Sequence, residues 1–164
     1  MASGVTVADD VVKEYNDMKI MGRQDPKRRK KALFMHLSAD FKQIEIDHTR
    51  ALYMENCDGD KDIFKQLPDM VNCKEPCYIL IDVCFAVGEC KKQELVLLSW
   101  IPDTSAVKMK LIYSSSKDAL VKKLPGTRHM WACSSTEELK DYVYLGEKLG
   151  ATEIEGKPLC SRKT

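Results

Sequence analysis

No stretch of this 164-residue chain is apolar for long enough to cross a bilayer; the richest windows, Tyr78–Val87 and Leu95–Ile101, are far too short. The opening Met1-Ala2-Ser3-Gly4-Val5 lacks the basic and apolar regions of an export signal, and no Asn-x-Ser/Thr acceptor occurs. Cysteine is present at positions 57, 73, 77, 84, 90, 133 and 160, an odd number that argues against a disulfide framework. An intracellular protein with reduced thiols is expected. Cys73-x3-Cys77, with Cys84, Cys90, His129 and Cys133, lacks a second closely spaced pair, so a zinc site is not expected. There is no Gly-rich phosphate loop, and no nucleophile motif accompanies a Cys–His pair, so neither a cofactor nor an enzymatic activity is expected. Internal repeats and low-complexity linkers are absent too. A net charge of +1, from 26 basic and 25 acidic side chains, lacks the strong excess of a nucleic-acid binder.

What is present suits one globular domain. Apolar residues make up 44% of the chain, enough for a core, and charged ones 31%, above the usual quarter. Residues 9–20 form an amphipathic pattern, capped by Asp9 or Asp10, with Val11, Val12, Tyr15 and Met18 at helical spacing. Gly22 and Pro26 interrupt the chain before the basic run Lys27-Arg28-Arg29-Lys30-Lys31. Residues 32–37 and 41–46 read as a hairpin around Ser38-Ala39-Asp40, and residues 60–67 as a short helix stopping before Pro68. Residues 78–85 and 95–100 are apolar on both faces and so predict central strands covered on both sides. The longest helical pattern, 107–124, closes at Pro125-Gly126. A strand follows at 129–133, then a helix opened by Ser134-Ser135-Thr136 and Glu137-Glu138, running to Lys148 with Gly150 at its end. The pattern predicts an α/β fold, a mixed sheet sandwiched between helices.

On a helical wheel, Met109, Ile112, Tyr113, Ser116, Ala119 and Leu120 share one side of 107–124, with Leu124 at its edge. The opposite side carries Lys108, Leu111, Ser115, Asp118 and Lys122, a cationic face with one apolar residue at its centre. Charge is segregated along the chain. Residues 105–128 hold six basic groups (Lys108, Lys110, Lys117, Lys122, Lys123, Arg128) against Asp118 alone. Residues 38–69 and 134–155 are each net acidic. Such a dipolar surface steers an acidic partner to one side, and an apolar anchor ringed by lysines suits a helix laid into a groove.

The opening MASGVTV, the helix ending YNDMK, the strand ending LSWIPD, the run KMKLIYSSSKDALVKKLPG and the tail EKLGATEIEGKPL resemble the actin-depolymerising factor (ADF)/cofilin family, vertebrate-type cofilin above all. The resemblance implies a single ADF-homology domain over 1–164, with a flexible tail at 1–6 and an extension at 160–164. It implies a monomer that binds monomeric and filamentous actin and severs and depolymerises filaments. A second reading is a relative that sequesters monomers or coats filaments without severing. Departures from the family pattern include Leu111 in place of Met and Val121 in place of Lys.

Carried over by resemblance, the monomer-actin surface comprises Ser3, Gly4, Val5, Lys108, Lys110, Leu111, Ser116, Lys122 and Lys123, with Ser116 nearer the core stripe. A filament-specific surface comprises Lys91, Lys92, Glu147 and Lys148. Ser3 corresponds to a phosphorylation site of LIM-type kinases, reversed by slingshot-type phosphatases. Lys91, Lys92, Lys122 and Lys123 would meet phosphoinositide head groups. Residues 27–31 resemble a nuclear-localisation signal, and His129 a pH-sensing histidine with Glu94 as its acidic partner. Cytoplasm and cytoskeleton, with shuttling into the nucleus, are the implied locations.

Overall fold

Strand residues alternate between two faces, and here both faces carry apolar side chains, so the sheet needs a helical layer on each side. The computed structural model describes residues 5–19, 30–53, 63–72, 74–125, 127, 129–154 and 157–158. Along the chain run β1 (Thr6–Val7), α1 (Asp9–Lys19), β2 (Lys30–Leu37), β3 (Gln43–Tyr53), α2 (Ile63–Met70), β4 (Cys77–Val87) and β5 (Cys90–Trp100). They are followed by α3 (Val107–Lys123), β6 (His129–Cys133), α4 (Thr136–Lys140), α5 (Tyr142–Leu149), β7 (Glu153–Ile154) and β8 (Lys157–Pro158).

The main sheet has the order β1-β3-β2-β4-β5-β6, and the short pair β7–β8 joins it at the far end of β4. The hairpins β2–β3 and β4–β5 are antiparallel, whereas β1 on β3 and β6 on β5 are parallel. A parallel neighbour requires a crossover, and α3 supplies it between β5 and β6. Leu33, Met35, Leu80 and Leu97 face α1 and α3, packing with Val11, Tyr15, Tyr113 and Leu120. Their neighbours Phe34, Ile79, Ile81 and Leu98 face the other way, toward Phe64 and Leu67 of α2, Leu139 of α4 and Leu145 of α5. This is the expected sheet between helices.

Four expectations change in detail. The β2–β3 turn is wider than residues 38–40. Phe41 lies in it at φ 59°, a left-handed conformation that ends extended structure, and β3 starts only at Gln43. Pro68 lies inside α2 rather than beyond it. It stands in the final turns, where its missing N–H removes a single helical bond. The helix expected over 136–148 is two helices, because the Asp141 side chain turns back to accept the Tyr144 N–H at 3.1 Å and starts α5 afresh. Thr6 belongs to the sheet rather than to a loose tail, since its N–H donates to the Lys42 carbonyl at 2.9 Å. Val5 of the expected tail is half-buried, while residues 1–4 and the extension at 160–164 lie outside the described residues.

Candidate functional site

The long helix fixes its outer face by how firmly its inner face is held. Tyr113 and Leu120 are buried against the sheet. The Tyr78 hydroxyl donates to the Tyr113 carbonyl, the Tyr113 hydroxyl accepts the Leu37 N–H at 3.0 Å, and the two rings lie 5.3 Å apart. Burial pushes both phenols above the ordinary tyrosine range, so they stay neutral hydrogen-bonding groups. Lys122 and Lys123 fall in the last turn, where the helix dipole favours cations.

Outward from this anchored rod stand Lys108, Leu111, Ser115, Asp118 and Lys122, all exposed, as the wheel predicts. Leu111 is 66% exposed and lies in the middle of them. Lys110 is half-buried, and Lys123 is exposed. Lys108 is steadied by the Phe41 ring, its Nζ 5.7 Å from the centroid. Val107, absent from the face that the wheel predicts, is 71% exposed one turn before Leu111 and extends its apolar centre. Its position at the first residue of the helix, where an apolar side chain reads as the start of the core stripe, hides it in the sequence.

Ser116 is corrected. Its side chain is 0% exposed and its hydroxyl donates to the Ile112 carbonyl at 2.6 Å, so it cannot meet a partner docked on the outer face. Ser3 and Gly4 lie outside the described residues. Val5 is half-buried against the same core cluster as α3, and β1 packs beside that helix. The N-terminal segment and α3 therefore share one side of the molecule.

The second group of predicted residues belongs to the opposite helical layer and the end of the sheet. Lys91 and Lys92 are exposed near the tip of the β4–β5 hairpin, paired with Ala86 and Phe85. They border a hollow of about 550 Å3 that Cys84, Gln93 and Glu153 also line. Glu147 and Lys148 stand at the end of α5, and the Lys148 ammonium donates to the Met130 carbonyl of edge strand β6. Gly150, at φ 71°, ends α5 in the left-handed cap that glycine favours. Thr152 then binds Ala86 and Gly88, tying this helix end to the hairpin that carries Lys91 and Lys92.

Among the remaining predicted residues, Lys27, Arg28 and Arg29 lie outside the described residues, and Lys30 opens β2. Lys31 is 1% exposed inside β2, so it drops out of any accessible basic run. His129 and Glu94 are brought together by the parallel β5–β6 pairing, with Nε2 2.5 Å from Oε2. Lys91 and Lys92 stand near the hairpin tip on successive positions of β5, so their side chains leave opposite faces of the strand, whereas Lys122 and Lys123 close α3. Burial pushes the Cys77 thiol up to about 12, against the opposing effect of Arg50, and raises the Cys133 thiol too. Neither is a reactive thiolate. Among the described residues no cluster of three His, Cys, Asp or Glu side chains is placed to hold a metal, and no helix is long and apolar enough to cross a membrane.

Comparison with known proteins points the same way. The fold is similar to actin depolymerization factor 2 of Plasmodium berghei, at TM-score 0.72 and 24% identity, covering 88% of this chain and 96% of that one. It is also similar to ADF/cofilin from Trypanosoma brucei, at TM-score 0.65 and 28% identity, covering 91% and 96%. A cofilin of Streptomyces griseoflavus matches at TM-score 0.69 and 24% identity, over 90% and 99%. Residues 4–149 match the sequence profile of the cofilin/tropomyosin-type actin-binding proteins. With the match spanning most of the chain and the fold agreeing, this protein belongs to the cofilin/ADF family of actin-binding proteins, which are not enzymes.

Proposed function

We propose that this chain binds actin monomers through the exposed face of α3 and filaments through that face together with the β4–β5 hairpin and the end of α5, and that it severs and depolymerises filaments. The observation that carries the reading is Leu111, 66% exposed yet held on a helix whose opposite side is locked to the sheet. A rigid apolar anchor ringed by ammonium groups loses little entropy on docking and gains long-range steering toward an acidic partner. Two such sites let one molecule touch two filament subunits. Binding of that kind shifts the filament toward whichever subunit arrangement fits both contacts, and breakage follows at boundaries between decorated and bare stretches.

Regulation follows from the same surfaces. Phosphorylation of Ser3 by a LIM-type kinase, reversed by a slingshot-type phosphatase, adds about −1.5 to −2 charges to the chain just before Val5 and so weakens docking of an acidic partner. Phosphoinositide head groups compete with actin for Lys91, Lys92, Lys122 and Lys123, at about 1 kcal/mol per lysine. The His129–Glu94 pair is the assigned pH sensor, tested by whether His129→Gln alters the pH response of filament co-sedimentation. Cytoplasmic and cytoskeletal residence follows from the actin partner. Nuclear entry through Lys27–Lys30 is tested by localising a variant with those residues neutralised. Imaging labelled filaments over a range of protein concentrations tests the main reading. Severing events at partial decoration support it, whereas uniform coating without breaks, or monomer sequestration alone, contradicts it.

A further inference from the structure

The buried half of β5, Leu95–Trp100, is apolar except at Ser99, which is 5% exposed. Its side chain shares a face with Leu97 and so looks toward α3. There, between α3 and edge strand β6, a hollow of about 300 Å3 opens. Ser99 lines it, with Ser114 and Lys117 from one flank of α3 and Ser134 from the end of β6; Ile101 and Ala132 supply apolar wall.

These groups are short of acceptors. Among the described residues neither the nearly buried Ser99 hydroxyl nor the exposed Ser114 hydroxyl has a hydrogen-bond partner within the protein, and no carboxylate pairs with the half-buried Lys117 ammonium. Ser134 is occupied differently: its hydroxyl donates to Glu138 Oε1 at 2.8 Å, leaving its lone pairs to accept. The Ser99 hydroxyl opens onto the hollow and the Ser114 hydroxyl onto solvent, so both are free to donate to a ligand that enters, and an apolar ligand would leave them unused. A cation would be repelled by Lys117. An oxyanion answers both, accepting from Ser99, Ser114 and Lys117 together. Because those donors come from a strand beneath and a helix alongside, they approach from different sides. That arrangement suits a tetrahedral anion better than a planar carboxylate.

We propose that the hollow between α3, β5 and β6 binds the phosphate group of a small phosphorylated molecule. The site is separate from both actin surfaces and does not depend on the actin reading. It shares α3 with the monomer face, since Ser114 and Lys117 flank the residues that point outward.

Titration of the 15N-labelled full chain with inorganic phosphate, at constant ionic strength, tests it by NMR. The expected result is saturable shifts centred on Ser99, Ser114 and Lys117, reproduced by glycerol 3-phosphate and much weaker with acetate. Lys117→Met should weaken binding about tenfold, and Ser99→Ala by a smaller factor, with unfolding midpoints close to wild type. Vesicles containing phosphoinositide should leave the Ser99 resonance in place, because their head groups meet the exposed lysines. Shifts unaffected by Lys117→Met, shifts centred on Lys91–Lys92 or Lys122–Lys123, or equal shifts from acetate would each overturn the proposal. So would movement of Ser99 by vesicles alone.

Discussion

Ser116 and Leu111 lie five positions apart on α3 and have opposite fates. Leu111 projects into solvent, whereas Ser116 is sealed beneath the helix with its hydroxyl turned onto the Ile112 carbonyl. Ser116→Ala should therefore leave actin affinity unchanged. Ser116→Leu should lower stability by about 1–3 kcal/mol through overpacking, read from denaturant unfolding. At β3, Asp47 is half-buried, which works against its charge. Hydrogen bonds from Thr49 and from Arg50, the latter at 2.8 Å, outweigh that and hold the carboxyl below its ordinary value. A depressed carboxyl contributes stability above its unfolded pKa and loses it as pH falls through the folded one. The stability gap between wild type and Asp47→Asn should thus be open at pH 7 and narrow on acidification below about pH 4, measured by thermal melts. The wheel makes Leu111 legible because helical period alone decides which side faces out. Lys31 is not legible in the same way, since a lysine within a basic run reads as solvated and only the strand pairing shows it buried.

At the level of elements, apolar periodicity locates nearly every helix and strand, while their ends follow local chemistry. The first half of β5, Cys90–Glu94, is polar and largely solvent-facing; it is a strand only because β4 pairs with it along its whole length. Nothing in that segment alone signals extended structure. Asp141 divides α4 from α5 through a side-chain cap, a choice that competes with helix continuation and is settled by packing. At the hairpin tip Gly88 has φ 62°, and a Cβ added there would meet no atom within 4 Å, so substitution encounters backbone strain alone. Gly88→Ala should lower stability by about 1–2 kcal/mol in chemical denaturation. In the core of α3, Leu120→Ala should remove about 2–5 kcal/mol, detected in the same way.

For the whole molecule, the two-sided sheet determines where function sits. One helical layer carries α3 with the N-terminal strand beside it; the other carries α5, whose end is joined to the β4–β5 hairpin. Charge segregation in the sequence indicates a polarised surface, but it cannot show that Lys91 and Lys92 stand near the tip of the β4–β5 hairpin while Lys122 and Lys123 close α3. That placement comes from the strand pairing and the helix end. Accordingly Lys91→Ala/Lys92→Ala should weaken filament co-sedimentation several-fold while leaving monomer affinity near wild type. Equal loss of both would place the hairpin in a single shared surface.

The most direct measurement is the affinity of Leu111→Asp for fluorescently labelled actin monomers at fixed ionic strength, alongside its unfolding midpoint. A buried interface anchor is worth about 2 kcal/mol or more, so affinity should fall at least about thirtyfold while the midpoint barely moves, because Leu111 is exposed in the free protein. Monomer affinity equal to wild type would contradict the assignment of the α3 face as the docking surface.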